Sequence, residues 1–275
     1  MEVLSYLGLG IIHEKRGVSC QDYISCKCAE NGNNIVALSD GAGSAKYAET
    51  AAKNTVRAII DYFSKISLKQ YLGFSEREQK EEIISCVLIE LKKAAKKKQC
   101  SNLREFSSTL LFCVGDCERM IFFHLGDGAI LATDEACNPV YYSDPDNVEG
   151  SLTRTYFCVS HHAVEHSRIA SFSSLAVHRV LMTSDGAYEM FQNRGDGDAC
   201  QTMLEILSYH RNHIISTVPD FADILNQMAE IPSERFDDWS IALIWNHAVN
   251  RLQEVVITSM LDEEKEKYSQ TQIME

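Results

Sequence analysis

Four aspartates in this chain share one local grammar. Ser39-Asp40-Gly41 closes the apolar run IVAL, Gly126-Asp127-Gly128 follows IFFHL, Ser184-Asp185-Gly186 follows RVLMT, and Asp237-Asp238 stands just before WSIALIW. A strand end holds a carboxylate at the rim of a rigid sheet, and a following glycine lets backbone come close to a ligand and offer a carbonyl oxygen. One Asp-Gly is ordinarily only a turn signal. Four carboxylates gathered at the borders of apolar runs, three of them in Asp-Gly, would make a hard, oxygen-rich site, which suits Mg²⁺ or Mn²⁺ and not zinc. Two such ions roughly 3.5–4 Å apart activate water and offset charge in phosphoryl transfer.

Other chemistry fits less well. Cys20 and Cys26 lack the arginine-ended phosphate loop that a cysteine nucleophile needs. The pairs Cys26/Cys28 and Cys113/Cys117 have no second half at zinc-site spacing, so most of the ten cysteines read as small core residues. His161, His162 and His166 have no third ligand of the right type nearby, so contact with a substrate is the better expectation. The acids from Asn193 to Ala199 lack the closing glutamate of a calcium loop and read as a turn.

These carboxylates must be carried by strands and helices that the sequence also marks. Short apolar runs bounded by Gly or Asn predict strands at Val3 to Ile12, Asp22 to Cys28 and Ile35 to Ser39. The period then changes. Ala52, Val56, Ile59 and Phe63 predict one amphipathic helix, and Ile84, Val87, Leu88, Leu91 and Ala95 a second. Strands return at Ser108 to Val114, Met120 to Leu125, Ala129 to Ala132 and Arg179 to Thr183. A third helix is expected over Met203, Ile206, Leu207, His210 and Ile214, a fourth over Phe221 to Ile231, and a last strand over Trp239 to Trp245. Strands in runs, then a helix pair, then strands and another helix pair, predict an antiparallel α+β layered domain. The irregular stretch from Pro139 to Ser174 is expected to be a flap beside the site.

In order, Cys20-Gln21-Asp22, Ser39-Asp40-Gly41-Ala42-Gly43-Ser44, Ser107-Ser108-Thr109-Leu110, Gly126-Asp127-Gly128, Thr183-Ser184-Asp185-Gly186 and Asp237-Asp238-Trp239-Ser240 resemble the metal-dependent protein phosphatases of type 2C. The match runs over roughly residues 6 to 246. The resemblance implies a β-sandwich flanked by antiparallel helix pairs on both faces, in four layers, and a binuclear Mn²⁺ or Mg²⁺ centre with a weaker third ion. It makes Asp40 the bridge between two ions, Gly41 a carbonyl ligand, and Asp185 and Asp237 ligands of the other ion. It assigns Asp127 to the third ion together with Asp185, and Asp22 to a role through water. Arg16 is the nearest match to the family's phosphate-gripping arginine, one position out of register, with Lys15 and His13 as alternatives. The sequence also departs from the family pattern at Gln21 (usually Glu), at Ala42-Gly43-Ser44 (often His-Gly-Gly) and at Asp238 (more often Asn).

The implied substrate is a phosphoserine or phosphothreonine protein, with a cognate kinase supplying it. A catalytically inactive relative and a two-metal hydrolase of small phosphoesters stay open. A net charge of -13 argues against nucleic-acid and anionic-membrane partners, and the basic run Lys92 to Lys98 reads as a solvated helix face. No apolar stretch reaches the ~20 residues needed to cross a bilayer and no secretion leader is evident, so a cytoplasmic location is expected. The chain divides into a phosphatase domain over 1–248 and a C-terminal helix or tail over 249–275.

Overall fold

The computed structural model describes residues 1–146, 155–192, 198–209, 237–246 and 253–258. In chain order the elements are β1 Glu2–Gly8, α1 Ile11–Arg16, β2 Asp22–Cys28, β3 Asn34–Asp40, α2 Ala48–Phe63, α3 Leu68–Tyr71, α4 Glu76–Lys97, β4 Leu110–Gly115, β5 Arg119–Leu125, β6 Ala129–Thr133, β7 Pro139–Ser143, α5 Ala163–His166, β8 Arg168–Ser173, β9 Arg179–Thr183, α6 Asp185–Gln192, α7 Ala199–Tyr209, β10 Trp239–Trp245 and β11 Gln253–Thr258. They build two sheets. One has the order β11-β1-β10-β9-β6-β7, the other β2-β3-β4-β5-β8. Every pairing is antiparallel except β1 with β11.

The strands read as unbroken apolar runs because both faces of each sheet are covered. In β3, Val36 and Leu38 point between the sheets, with Leu111, Phe122, Ile130 and Met182. Their neighbours Ile35 and Ala37 point the other way, to the stripe Val56, Ile59 and Phe63 on α2 and Ile84, Val87 and Leu91 on α4. The second sheet repeats the arrangement: Leu131, Leu181, Ile241 and Leu243 meet Met190, Phe191, Met203 and Leu207 of α6 and α7. The result is a four-layer αββα sandwich. Helix α4 opens with a capping box between Ser75 and Glu78, so it starts sharply where the preceding loop ends.

The first apolar stretch is not one strand. β1 stops at Gly8, where a side chain would meet the Trp239 indole at 2.1 Å. Gly10 and the left-handed Gly17 bracket the six-residue α1, which is too short to show a helical period. Among its described residues, the stretch from Pro139 to Ser174 holds more regular structure than its composition predicts. It supplies β7 and β8, which pair on one side only, and Pro139 opens β7, where no ladder donor is required. Residues 253–258, expected as helix or tail, instead run parallel to β1 as an edge strand. The expected helix over Phe221 to Ile231, the end of the third helix from His210, the tail beyond residue 258 and most of the Asn193 to Ala199 turn lie outside the described residues.

Candidate metal centre

Antiparallel pairing brings one end of several strands together. Asp40 ends β3 and faces Asp22, the first residue of β2. Thr183 ends β9 and lies opposite both Ala129, which opens β6, and Ile241, near the start of β10. The segments carrying Asp127, Asp185 and Asp237 therefore meet at one end of their sheet. Asp40, Asp127 and Asp185, each partly buried, bring carboxylate oxygens within 4.8 Å of one another.

Backbone fixes these positions. The Asp40 N–H donates to Thr109 Oγ1 at 2.9 Å, the Thr109 N–H returns a bond to the Asp40 carbonyl at 2.8 Å, and the Ser39 hydroxyl donates to the Thr109 carbonyl at 2.6 Å. The Gly41 N–H donates to the Gln21 carbonyl at 3.1 Å. A Cβ on Gly41 would stand 2.4 Å from the Ala48 carbonyl, and one on Gly186 would stand 2.3 Å from the Asp238 carbonyl. These glycines thus let neighbouring backbone segments close around the carboxylates.

The cluster is electrostatically strained. Burial, then the charges of Asp185, Asp22 and Asp127, raise the Asp40 carboxyl well above the usual carboxylate range. Burial and Asp127, Asp22 and Asp237 do the same to Asp185. Asp22, 4% exposed, is driven up to about 6 by burial, with the Ser184 and Ser240 hydroxyls pulling the other way. Asp127 also rises to about 6 through burial, with Glu189 and Asp237 adding to it. Asp127 Oδ1 and both Asp22 oxygens are buried without a hydrogen bond of ordinary geometry. Unpartnered carboxylate oxygens at this depth are costly unless a cation or a proton meets them. The donor set is all oxygen, so it suits a hard divalent cation such as Mg²⁺ or Mn²⁺.

Asp237 lies beside this group rather than within it. Its side chain is 55% exposed, and its Oδ1 is 3.5 Å from His13 Nδ1. Asp238 has a different task. It is 2% exposed, accepts from the Gly10 N–H at 2.8 Å and the Gln21 N–H at 2.6 Å, and lies 2.8 Å from His13 Nδ1. Both carboxylate oxygens thus clamp the segment around α1 against the start of β10. An asparagine would offer only one accepting oxygen there. Asp238→Ala strands two backbone donors, so we expect a loss of about 3 kcal/mol in denaturant unfolding; a loss below about 1 kcal/mol would exclude the clamp.

Arg16 is exposed at the last turn of α1, one turn beyond His13. Among the described residues, no hydrogen bond or ion pair ties it to the acidic cluster. The histidines of the expected flap are not brought to the cluster either: His166 stacks on Tyr156 and contacts Asp146 Oδ2 at 3.1 Å. All cysteines are free thiols, and burial pushes the Cys20 thiol up, away from nucleophilic use. Thr109, Ser184 and Ser240 stand in the sequence motifs without an expected role, and Glu189 is a neighbour of the cluster that sequence reasoning missed. Glu189 was within reach, since it follows Asp185 at the i,i+4 spacing of a helix, but α6 was read as a bare strand end.

An αββα sandwich of two mainly antiparallel sheets, with acids gathered from five strand ends at its rim, defines the fold class. Within it, the chain belongs to the protein phosphatase 2C family, whose model matches residues 9–234. No curated protein matches it by sequence alone. Among solved structures it is similar to a bacterial serine phosphatase (14% identity, TM-score 0.64, covering 90% of this chain and 98% of that one). It is also similar to the serine/threonine phosphatase PstP/Ppp of Mycobacterium tuberculosis (14%, 0.60, 89% and 98%) and to a serine/threonine phosphatase of S. agalactiae (17%, 0.58, 89% and 99%). At such identities the likeness concerns the fold. No helix among the described residues is long and apolar enough to cross a membrane.

Proposed function

We propose that the chain is a metal-dependent phosphoprotein phosphatase that hydrolyses phosphoserine and phosphothreonine. The observation that carries this reading is the meeting of Asp40, Asp127 and Asp185 within 4.8 Å, at the strand ends of a protein phosphatase 2C chain. Asp40 would hold both of two cations, with the Gly41 carbonyl as a further ligand, and Asp185 and Asp237 would hold the second. Asp127 would join Asp185 in holding a weaker third, and Asp22 would act through water. When bound, the cations, Mn²⁺ or Mg²⁺, lower the pKa of water and offset charge on the phosphoryl oxygens.

The protein's own residues supply the rest. The bonds between Asp40 and Thr109 fix the Asp40 backbone to the residue that precedes β4, so the point from which its carboxylate projects is set before anything binds. The Asp238 clamp sets α1 beside Asp237, and Arg16 on that helix grips the phosphate of an incoming residue with paired donors. Residues 1–248, with β11 added at the edge of their sheet, form the catalytic unit, acting in the cytoplasm on a phosphoprotein supplied by a partner kinase.

The test compares a phosphothreonine peptide with a small aryl phosphate, and titrates Mn²⁺ calorimetrically in parallel. Peptide turnover that needs Mn²⁺ and is abolished by chelation is expected, because carboxylates, waters and one carbonyl hold these ions only moderately. Full turnover in excess chelator overturns the metal centre. Tight Mn²⁺ binding without any phosphoester turnover identifies an inactive binding module instead.

A further inference from the structure

The protein carries a net charge of -13, yet five of the seven residues from Lys92 to Lys98 are lysines. A helix C-terminus favours cations within its last turn. That accounts for Lys96 and Lys97, which occupy the last turn of α4. It does not account for Lys92, more than a turn earlier, or for Lys46 on a different segment. Lys93 is already engaged by Glu90 at 2.6 Å.

Two of the remaining lysines converge on one ring. Lys46 Nζ and Lys98 Nζ lie 5.4 and 5.7 Å from the centroid of Tyr47, within the range of a cation–π contact. The ring is held by stacking on buried Phe106, with centroids 4.8 Å apart. Beyond Lys98 the chain reverses at Gln99, whose φ is 52°, and the Cys100 N–H donates to the Ala95 carbonyl at 3.0 Å. This helix ending lays the following residues beside α4 and leaves a cleft of ≈ 320 Å³ lined by Lys92, Ala95, Lys96, Cys100, Ser101 and Leu103. Of its lining residues Ala95 is buried and Leu103 half-buried, while Lys92 and Lys96 are exposed.

The patch adjoins the acidic centre. Gly41 packs on the backbone of Ala48, and Tyr47 is the residue before it. The Tyr47 N–H donates to the Glu105 carbonyl at 3.0 Å, and the Ala42 N–H donates to the Ser107 carbonyl at 3.0 Å, so the loop after Asp40 and the ring platform share one support. From Lys98 back to Lys92, α4 covers ~9 Å, which an extended peptide spans in about three residues.

We propose that the Tyr47 lysines and the cleft on α4 form a docking groove for an acidic tract of the phosphoprotein substrate. The groove lies several residues along the substrate from the phosphorylated side chain. This rests on the phosphatase reading above and adds a substrate class to it: phosphoproteins with glutamate- or aspartate-rich flanks. Acidic side chains on such a tract meet Lys46 and Lys98 first and then Lys92 and Lys96, while its aliphatic portions cover Ala95 and Leu103. The same groove keeps the strongly negative remainder of the surface from repelling an acidic substrate as it approaches.

The experiment uses phosphothreonine peptides of equal length: one with neutral flanks, and two with a glutamate tract about four to eight residues before or after the phosphothreonine, a reach set by ~3.3 Å per extended residue. One of the two tracts should lower KM about fivefold at low salt with kcat unchanged, and the advantage should fade as salt rises. Lys92→Glu/Lys96→Glu should erase that advantage without changing turnover of the neutral peptide. Lys92→Gln/Lys96→Gln should erase most of it, and serves as the check if charge reversal perturbs α4. The inference is overturned if neither tract lowers KM, or if the advantage survives both double variants. Fluorescence anisotropy with the unphosphorylated glutamate-tract peptide reads the groove separately from catalysis. Tract binding lost in the double variants upholds the groove even if no peptide is hydrolysed, in which case only the phosphatase reading fails. Tighter binding of single-stranded RNA than of the tract peptide would assign the patch to nucleic acid and sink the proposal.

Discussion

Asp40→Ala is expected to abolish turnover of every phosphoester, by at least about a thousandfold, and to remove the binding of both cations from a calorimetric titration. The carboxylate stands at the point where three acidic strand ends meet, with Asp127 and Asp185 on one side and Asp22 opposite it across β2 and β3. A group proposed to bridge two ions affects both when it is lost, whereas Asp237, 55% exposed beside the cluster, affects mainly one. Asp237→Asn should therefore weaken one binding phase and leave the other in place. The contrast between the two variants carries the test. Two ions retained by Asp40→Ala would remove the bridge assignment, and equal effects of both variants would remove the distinction between bridging and terminal ligands. The variant should remain folded, because the bonds that fix residue 40 come from its backbone N–H and carbonyl and not from its carboxylate.

The layered architecture was legible because its signals are additive over many residues. Val36 and Leu38 face one layer and Ile35 and Ala37 the other, so β3 reads as an unbroken apolar run, and the helical stripes of α2 and α4 repeat over several turns. The order of the Asp-Gly motifs was legible for the same reason. Short elements left no such trace. α1 has six residues between two glycines, and α6 begins at a motif aspartate that already looked like a strand end. β7 and β8 are edge strands whose exposed positions dilute the alternation, and β11 reaches its partner β1 from the far end of the chain. Within the site, Asp238 stands out in the sequence only as a departure from the family pattern. Its role as acceptor for Gly10 and Gln21 depends on contacts more than two hundred positions apart, which no local pattern encodes. The lysine run was read as a solvated face because the sequence does not show that Tyr47 and the turn at Gln99 meet it.

Stripped of divalent cations by dialysis against chelator, the protein should be more stable at about pH 5 than at about pH 7.5, the reverse of the usual behaviour of surface carboxylates. Four acids set the direction. Asp22 and Asp127 rise from the usual 3.8 to about 6 in the folded state, and Asp40 and Asp185 rise well above it, in each case through burial first. In the unfolded chain all four release their protons near the ordinary value. Between that value and the folded values the native state binds more protons, so stability is greatest at the acidic side of the window and falls as pH rises through about 6 and beyond. For Asp22, buried and shifted by about two units, the loss is on the order of 3 kcal/mol across the window, since each unit corresponds to about 1.4 kcal/mol. Asp40→Asn removes one of the crowded charges. The metal-free variant should therefore exceed the metal-free parent in stability at about pH 7.5 and show a shallower dependence on pH. Added Mn²⁺ should reverse the ranking, stabilising the parent by about 2.7 kcal/mol at a hundredfold excess over Kd and the variant by much less. Thermal and denaturant unfolding of both proteins at the two pH values, with and without Mn²⁺, reads every part of this. A parent that is less stable at the lower pH, or an Asp40→Asn variant that is less stable than the parent when metal-free, would mean that hydrogen bonds inside the cluster, rather than charge repulsion awaiting a cation, hold these carboxylates in place.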